Sequence, residues 1–154
     1  MNVSPIIDAV TARLKEKFPT MQIEYFPGKP ADFQLRNPEG AILVGYPGSR
    51  FGRPKDTGAL MQSHIITLNA TVVFRQSNGN QGAVAILDSV RQALCGYTPP
   101  NCHRKIWLVR DTFLGNVGDL WQHALNFATE SVLIEDIELP DGPLLAVANY
   151  EESK

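Results

Sequence analysis

The chain is poor in the residues on which most site chemistry depends. Two cysteines, Cys95 and Cys102, and three histidines, His64, His103 and His123, occur in 154 residues. The cysteines lie too far apart for a zinc knuckle and no second pair exists, so His103 beside Cys102 completes no ligand set. Neither sign of charge dominates. A formal net charge of −2 does not point to nucleic acid or to an anionic membrane. No apolar run approaches the roughly 20 residues that cross a bilayer. Met1-Asn2-Val3-Ser4-Pro5 lacks the basic region and apolar stretch of a signal peptide, which makes a cytoplasmic chain with reduced cysteines the expectation. Internal repeats and low-complexity tracts are missing too.

What is present suffices for one core. The length fits a single domain, and 44% hydrophobic residues can fill it. Ser4 followed by Pro5 reads as a capped helix start. Ile6, Ile7, Val10, Leu14 and Phe18 follow at helical spacing, and Pro19 ends the run. Gln22 to Phe26 reads as a strand stopped by Pro27-Gly28-Lys29-Pro30. Phe33 to Arg36 reads as a further short strand before the turn Asn37-Pro38-Glu39-Gly40. Ala41 to Tyr46 is a buried strand.

The clearest strand is His64 to Phe74. His64, Ile66, Leu68, Ala70, Val72 and Phe74 face one way and Ser63, Ile65, Thr67, Asn69, Thr71 and Val73 the other. A second helix carries Ala83, Ile86, Leu87, Val90, Ala93 and Leu94 as one stripe, with Gly96 as its C′ glycine. Ile106 to Phe113 is a strand, Leu114 to Gly118 a turn, and Leu120 to Ile134 a long strand. The odd face of that last strand, Trp121, Leu125 and Phe127, should share a core with Ile86, Leu87, Val90 and Leu94. The fold class is α+β. Two layers are expected: an antiparallel or mixed sheet of about four to six strands, with two helices on one face. Residues 1–134 form the domain and residues 135–154 an acidic C-terminal extension.

The stretch from Gly45 to Gly58 holds four glycines, two prolines and three cations before Asp56. It reads as a long connection of the kind that serves a function or is ordered by a partner. Gly48 to Gly58 is expected to be poorly ordered or held by a neighbouring chain. Its interaction candidates are Ser49, Arg50, Phe51, Arg53 and Lys55. Three charges on an acidic chain are a weak signal for nucleic acid, and an acidic protein face explains them equally well.

No catalytic constellation is legible. Gly48-Ser49-Arg50-Phe51-Gly52 is not a nucleophile elbow, which needs Gly-x-Ser-x-Gly at a strand-to-helix turn. Gly28-Lys29 precedes Pro30 rather than Ser or Thr, so it is no P-loop. Cys95, on the last turn of a buried helix, is expected in the core. His64 and His123 are expected to be hydrogen-bonded structural histidines. Glu135, Asp136 and Glu138 form an acidic patch at a strand end. An enzyme is not expected, nor any cofactor or metal.

Several phrases resemble a known family. They are Phe18-Pro19, Tyr25-Phe26-Pro27, Gly40-Ala41-Ile42-Leu43-Val44 and Tyr46-Pro47-Gly48-Ser49. To these add the Gln62 to Phe74 strand, Leu94-Cys95-Gly96-Tyr97, and Trp121-Gln122-His123-Ala124-Leu125-Asn126-Phe127. Together they resemble the tail terminator, or tail completion, proteins of tailed phages, especially those of Mu-like prophages with contractile tails. The resemblance runs to about Leu133.

It implies a two-layer α+β subunit that assembles into a ring of about six copies. That ring would cap the head-proximal end of the tail tube and meet the head completion proteins of the neck. It implies no catalytic residues, no membrane and no direct nucleic-acid recognition. It implies assembly in the host bacterial cytoplasm and a final place in the virion tail. Two rival readings are another head–tail joining or minor tail protein, and a small enzyme or ligand-binding domain.

Overall fold

The computed structural model describes residues 2–75 and 79–136. Helix α1 (Ser4–Lys17) is followed by β1 (Gln22–Tyr25), a 3-10 turn (Pro30–Asp32), β2 (Ala41–Phe51), β3 (Lys55–Thr57) and β4 (Ala59–Arg75). Then come α2 (Gly79–Leu94), β5 (Arg104–Val117) and β6 (Leu120–Ile134). The sheet order is β1-β2-β4-β6-β5, with β3 paired to β4 off that path. β1 runs parallel to β2, and the other pairs are antiparallel, so the sheet is mixed.

Period-2 alternation in the strands assigns the two faces. Ile42, Val44, Ile66, Leu68, Ala70, Val72, Phe74, Leu125 and Phe127 point to the helices. There they meet Ile6, Val10 and Leu14 of α1 and Leu87, Val90 and Leu94 of α2, as the spacing predicts. Ile86 and Trp121 pack at the margin of this core. Both helices therefore cover one face. Arg13 ties them together: its Nε donates to the Ala93 carbonyl at 2.8 Å, and its guanidinium lies 4.8 Å from the Tyr97 ring centroid. The opposite face is partly covered by the chain between β1 and β2. Phe33 packs there on Ala41, Leu43 and Val73, and Gln122 Nε2 donates to the Pro30 carbonyl at 2.6 Å.

Several expectations need correction. Phe33 to Arg36 is not a strand; Phe33 is buried as a cover on the second face, which satisfies its hydrophobicity without ladder pairing. The cap of α1 is Val3, whose carbonyl accepts from Ile6 and Ile7, and Ser4 is already helical. β5 continues to Val117, so the turn shrinks to Gly118-Asp119. Cys95 is exposed rather than in the core, because α2 ends at Leu94. Gly96 does take the positive φ of a C′ glycine, at 86°, and its N–H donates to the Ile106 carbonyl.

The largest correction concerns Gly48 to Gly58. It is not a long loop; it folds in register on β4 of its own chain. β2 runs on to Phe51, with Arg50 opposite Ile65 and Phe51 opposite His64. Lys55 pairs with Met61 and Thr57 with Ala59, across Gly58 at φ 113°. Pro47 sits where the register shifts between Gly45 and Gly48, so its missing N–H breaks no ladder bond.

Candidate functional site

Two surfaces stand out, at opposite ends of β4. The first is the tip of the hairpin formed by β2, β3 and the start of β4. The five residues singled out by the sequence separate there into three roles. Ser49 is an internal tie. Its Oγ lies 2.5 Å from the Tyr46 hydroxyl and 2.7 Å from His64 Nε2. Phe51 stacks on the His64 ring at 5.0 Å between centroids and stays 55% exposed. Arg50, Arg53 and Lys55 are exposed cations. Exposed Met61 and Ile134, paired across β4 and β6, add apolar surface to this end. The Gly52 N–H donates to the Ser63 carbonyl at 2.9 Å, and Gln62 Nε2 donates to the Gly52 carbonyl at 3.1 Å. These bonds give the tip a fixed frame.

The acidic patch expected at the end of β6 is partly engaged here. Glu135 Oε1 accepts from the Leu60 N–H at 2.8 Å, and the Glu135 N–H donates to the Leu60 carbonyl at 2.9 Å. Glu138 lies outside the described residues.

Ser49 and His64 have the separation of a nucleophile and its base, but the rest of the machinery is missing from the geometry. His64 Nδ1 is buried without a partner among the described residues, so no carboxylate there accepts from it or steadies its cationic form. Burial also pushes the His64 pKa below its ordinary value of 6.5. The folded chain therefore binds the His64 proton less tightly than the unfolded chain does. This contribution to stability is complete above the unfolded pKa, and it is lost as pH falls from about 6.5 toward the lowered folded value. Urea unfolding at pH 7.5 and pH 5.5 should show a loss that His64→Gln reduces. Parallel pH dependence in the two proteins would contradict this account.

The second surface is an open, largely apolar groove of about 580 Å³ between α2 and β5. Phe74, Leu87 and Trp121 form its floor, with Val84, Phe113 and His123 at its walls. Val84 is 55% and Phe113 52% exposed. Its rim is charged. The Arg91 guanidinium donates to Asp111 at 2.5 and 2.9 Å and to Asp88 at 2.6 Å. His123 Nε2 lies 3.4 Å from Asp111, and Arg75 lies 3.8 Å from Asp119. Hydrogen bonding from Arg91 holds the Asp111 carboxyl below its ordinary pKa and raises that of Arg91. Sequence reading missed this groove. Phe113 was legible as a strand residue, but nothing in the pattern marked it as standing on an uncovered edge.

His123 is hydrogen-bonded, as expected of a structural histidine. Cys102 is half-buried, and burial pushes its thiol pKa up, which disfavours the thiolate. Among the described residues, no group of three or more His, Cys, Asp or Glu could hold a metal ion. No described helix is long and apolar enough to cross a membrane.

Residues 10–152 match the family model described as Gp37 protein, a match that continues beyond β6. Among solved structures, the fold is similar to that of a chain in the "Virion of native gene transfer agent (GTA) particle". The TM-score is 0.53 at 17% identity, over 87% of this chain and 97% of that chain. No curated protein matches the sequence.

Proposed function

The chain belongs to the Gp37 family, and we propose that it is a structural protein of a tailed-phage-type virion, the tail terminator. In this reading it forms a ring of about six copies that stops growth of the tail tube at its head-proximal end. The ring also offers a surface to the head completion proteins. The observation that carries the reading is the fold similarity to a chain of the gene transfer agent virion, which spans nearly all of that chain. The phrases that resemble Mu-like tail terminators support the finer role. So does the layout of the molecule, with a cationic hairpin at one end and an apolar groove at the other, since a head-to-tail ring needs two different patches per subunit. The function is structural and not enzymatic. Assembly takes place in the host cytoplasm and the product remains in the virion tail. Residues 135–154 act as an acidic extension of the domain formed by residues 1–134.

Native mass spectrometry of the purified chain tests the reading. A single species near six subunits is expected. A clean monomer at every concentration would favour a small ligand-binding domain instead. A ring that leaves tube length unchanged in an assembly assay would favour a different head–tail joining protein.

A further inference from the structure

We propose that the groove between α2 and β5 receives the hairpin tip of a second copy of this chain, joining subunits head to tail. The inference rests on the ring reading for its biological setting, and it names the surfaces that meet. In the single chain the groove is apolar and open, with Val84 and Phe113 each more than half exposed on a framework of helix and strand. Uncovered apolar surface of this kind, with a charged rim, marks an interaction site.

The occupant is identified by what the rest of the molecule offers. The tip of the hairpin presents Phe51, Met61 and the adjoining Ile134. One face of the Phe51 ring rests on His64, and the side chain stays half exposed. The groove is aromatic, with Phe74, Phe113 and Trp121, and the Phe113 and Trp121 rings already meet edge to face at 5.7 Å. A further aromatic ring suits such a pocket, and buried aromatic anchors dominate the energetics of interfaces.

Charge points the same way. The tip carries Arg50, Arg53 and Lys55 as exposed cations beside Asp56, Asp136 and Glu135, the last already tied to Leu60. Around the groove stand Asp88, Asp111 and Asp119 against Arg91 and Arg75, and both guanidiniums are already tied to those carboxylates. The rim holds one carboxylate more than it has guanidiniums, and the three exposed cations of the tip can meet it.

Geometry excludes contact within one molecule. Met61 pairs with Ile134 at one end of the β4–β6 ladder and Phe74 with Trp121 near the other. At about 3.3 Å per residue the two ends lie roughly 40 Å apart. Tip into groove is a heterologous contact, and its repetition closes into a ring when the rotation allows.

Paired cysteines test this in the full chain, with Cys95→Ser and Cys102→Ser as background. Phe51→Cys and Val84→Cys proteins, mixed and treated with a short bismaleimide, should give a cross-linked dimer that neither gives alone. Val84→Lys, at an exposed helix position, should weaken self-association about tenfold or more by sedimentation, with its far-ultraviolet circular dichroism unchanged. If Val84→Lys assembles like the parent and the mixture does not cross-link, the groove is not the receptor, while the ring reading stands. Cross-linking of Phe51→Cys alone would mean a tip-to-tip contact and overturn the proposal. A parent chain that stays monomeric at all concentrations would overturn both.

Discussion

Phe127→Ala is expected to lower the unfolding free energy by about 3–5 kcal/mol. Phe127 is fully buried at the centre of β6, directly opposite Leu68 of β4. Its neighbours in the main core are Leu125 beside it in the strand and Leu87, Val90 and Leu94 from α2. A helix laid across a sheet cannot sink far into the space left by a lost ring, since the ladder on both sides of β6 fixes the strand. Most of the cavity should therefore persist, and the cost should lie in the upper range for large-to-small substitutions. Single domains have about 5–15 kcal/mol in total, so the variant should be near its limit at physiological temperature. Urea unfolding of variant and parent at one pH measures the difference. A loss below about 1 kcal/mol would show that the helix and sheet can close over the site.

Exchanging Arg50, Arg53 and Lys55 together for serine is expected to leave the subunit folded and to impair its assembly. All three side chains are exposed, and none belongs to either core. Exposed charges contribute only about 0.2–1 kcal/mol each, but a ring repeats every contact in each subunit. On the proposed tail-terminator reading, the triple variant should form rings poorly, and tails assembled with it should have irregular lengths. Because exposed charges are screened, the gap between parent and variant should narrow as salt is raised. Normal tail lengths at every salt concentration would reduce the cations to solvated decoration and leave assembly to apolar contacts alone.

The parts of this molecule that are legible in the sequence are those where one periodicity acts alone. Ile66 to Phe74 place an apolar residue at every even position of β4, Leu125 and Phe127 continue that face in β6, and the stripe on α2 repeats at helical spacing, so the core they form can be read from the chain. The hairpin at Gly48 to Gly58 could not be read this way. Glycines and Pro47 break the apolar alternation that marks a strand, and the pairing there depends on β4 reaching past the core to Ala59. Phe33 misled for the opposite reason. An apolar residue in a short run suggests a strand, yet a side chain from an irregular segment can bury itself on a sheet face just as well. Of the candidate site, the three cations were legible by composition. The tie of Ser49 to His64 depends on strand register, and the groove depends on which strand ends at an edge. Both are properties of topology that local pattern does not carry.

The long ladder between β4 and β6 has a consequence for how the protein is born. Met61 pairs with Ile134 and Arg75 with Leu120, so β4 waits for several tens of further residues, α2 and β5 included, before its main partner exists. At ribosomal speeds of about 5–20 residues per second, one edge of β4 stays open for seconds as the chain emerges. Non-local pairing of this kind is intrinsically slow and exposes sticky strands. Nascent chains stalled before β6 should therefore be held by chaperones or lost to aggregation. The yield of folded subunit would then be limited by the completion of its last strand.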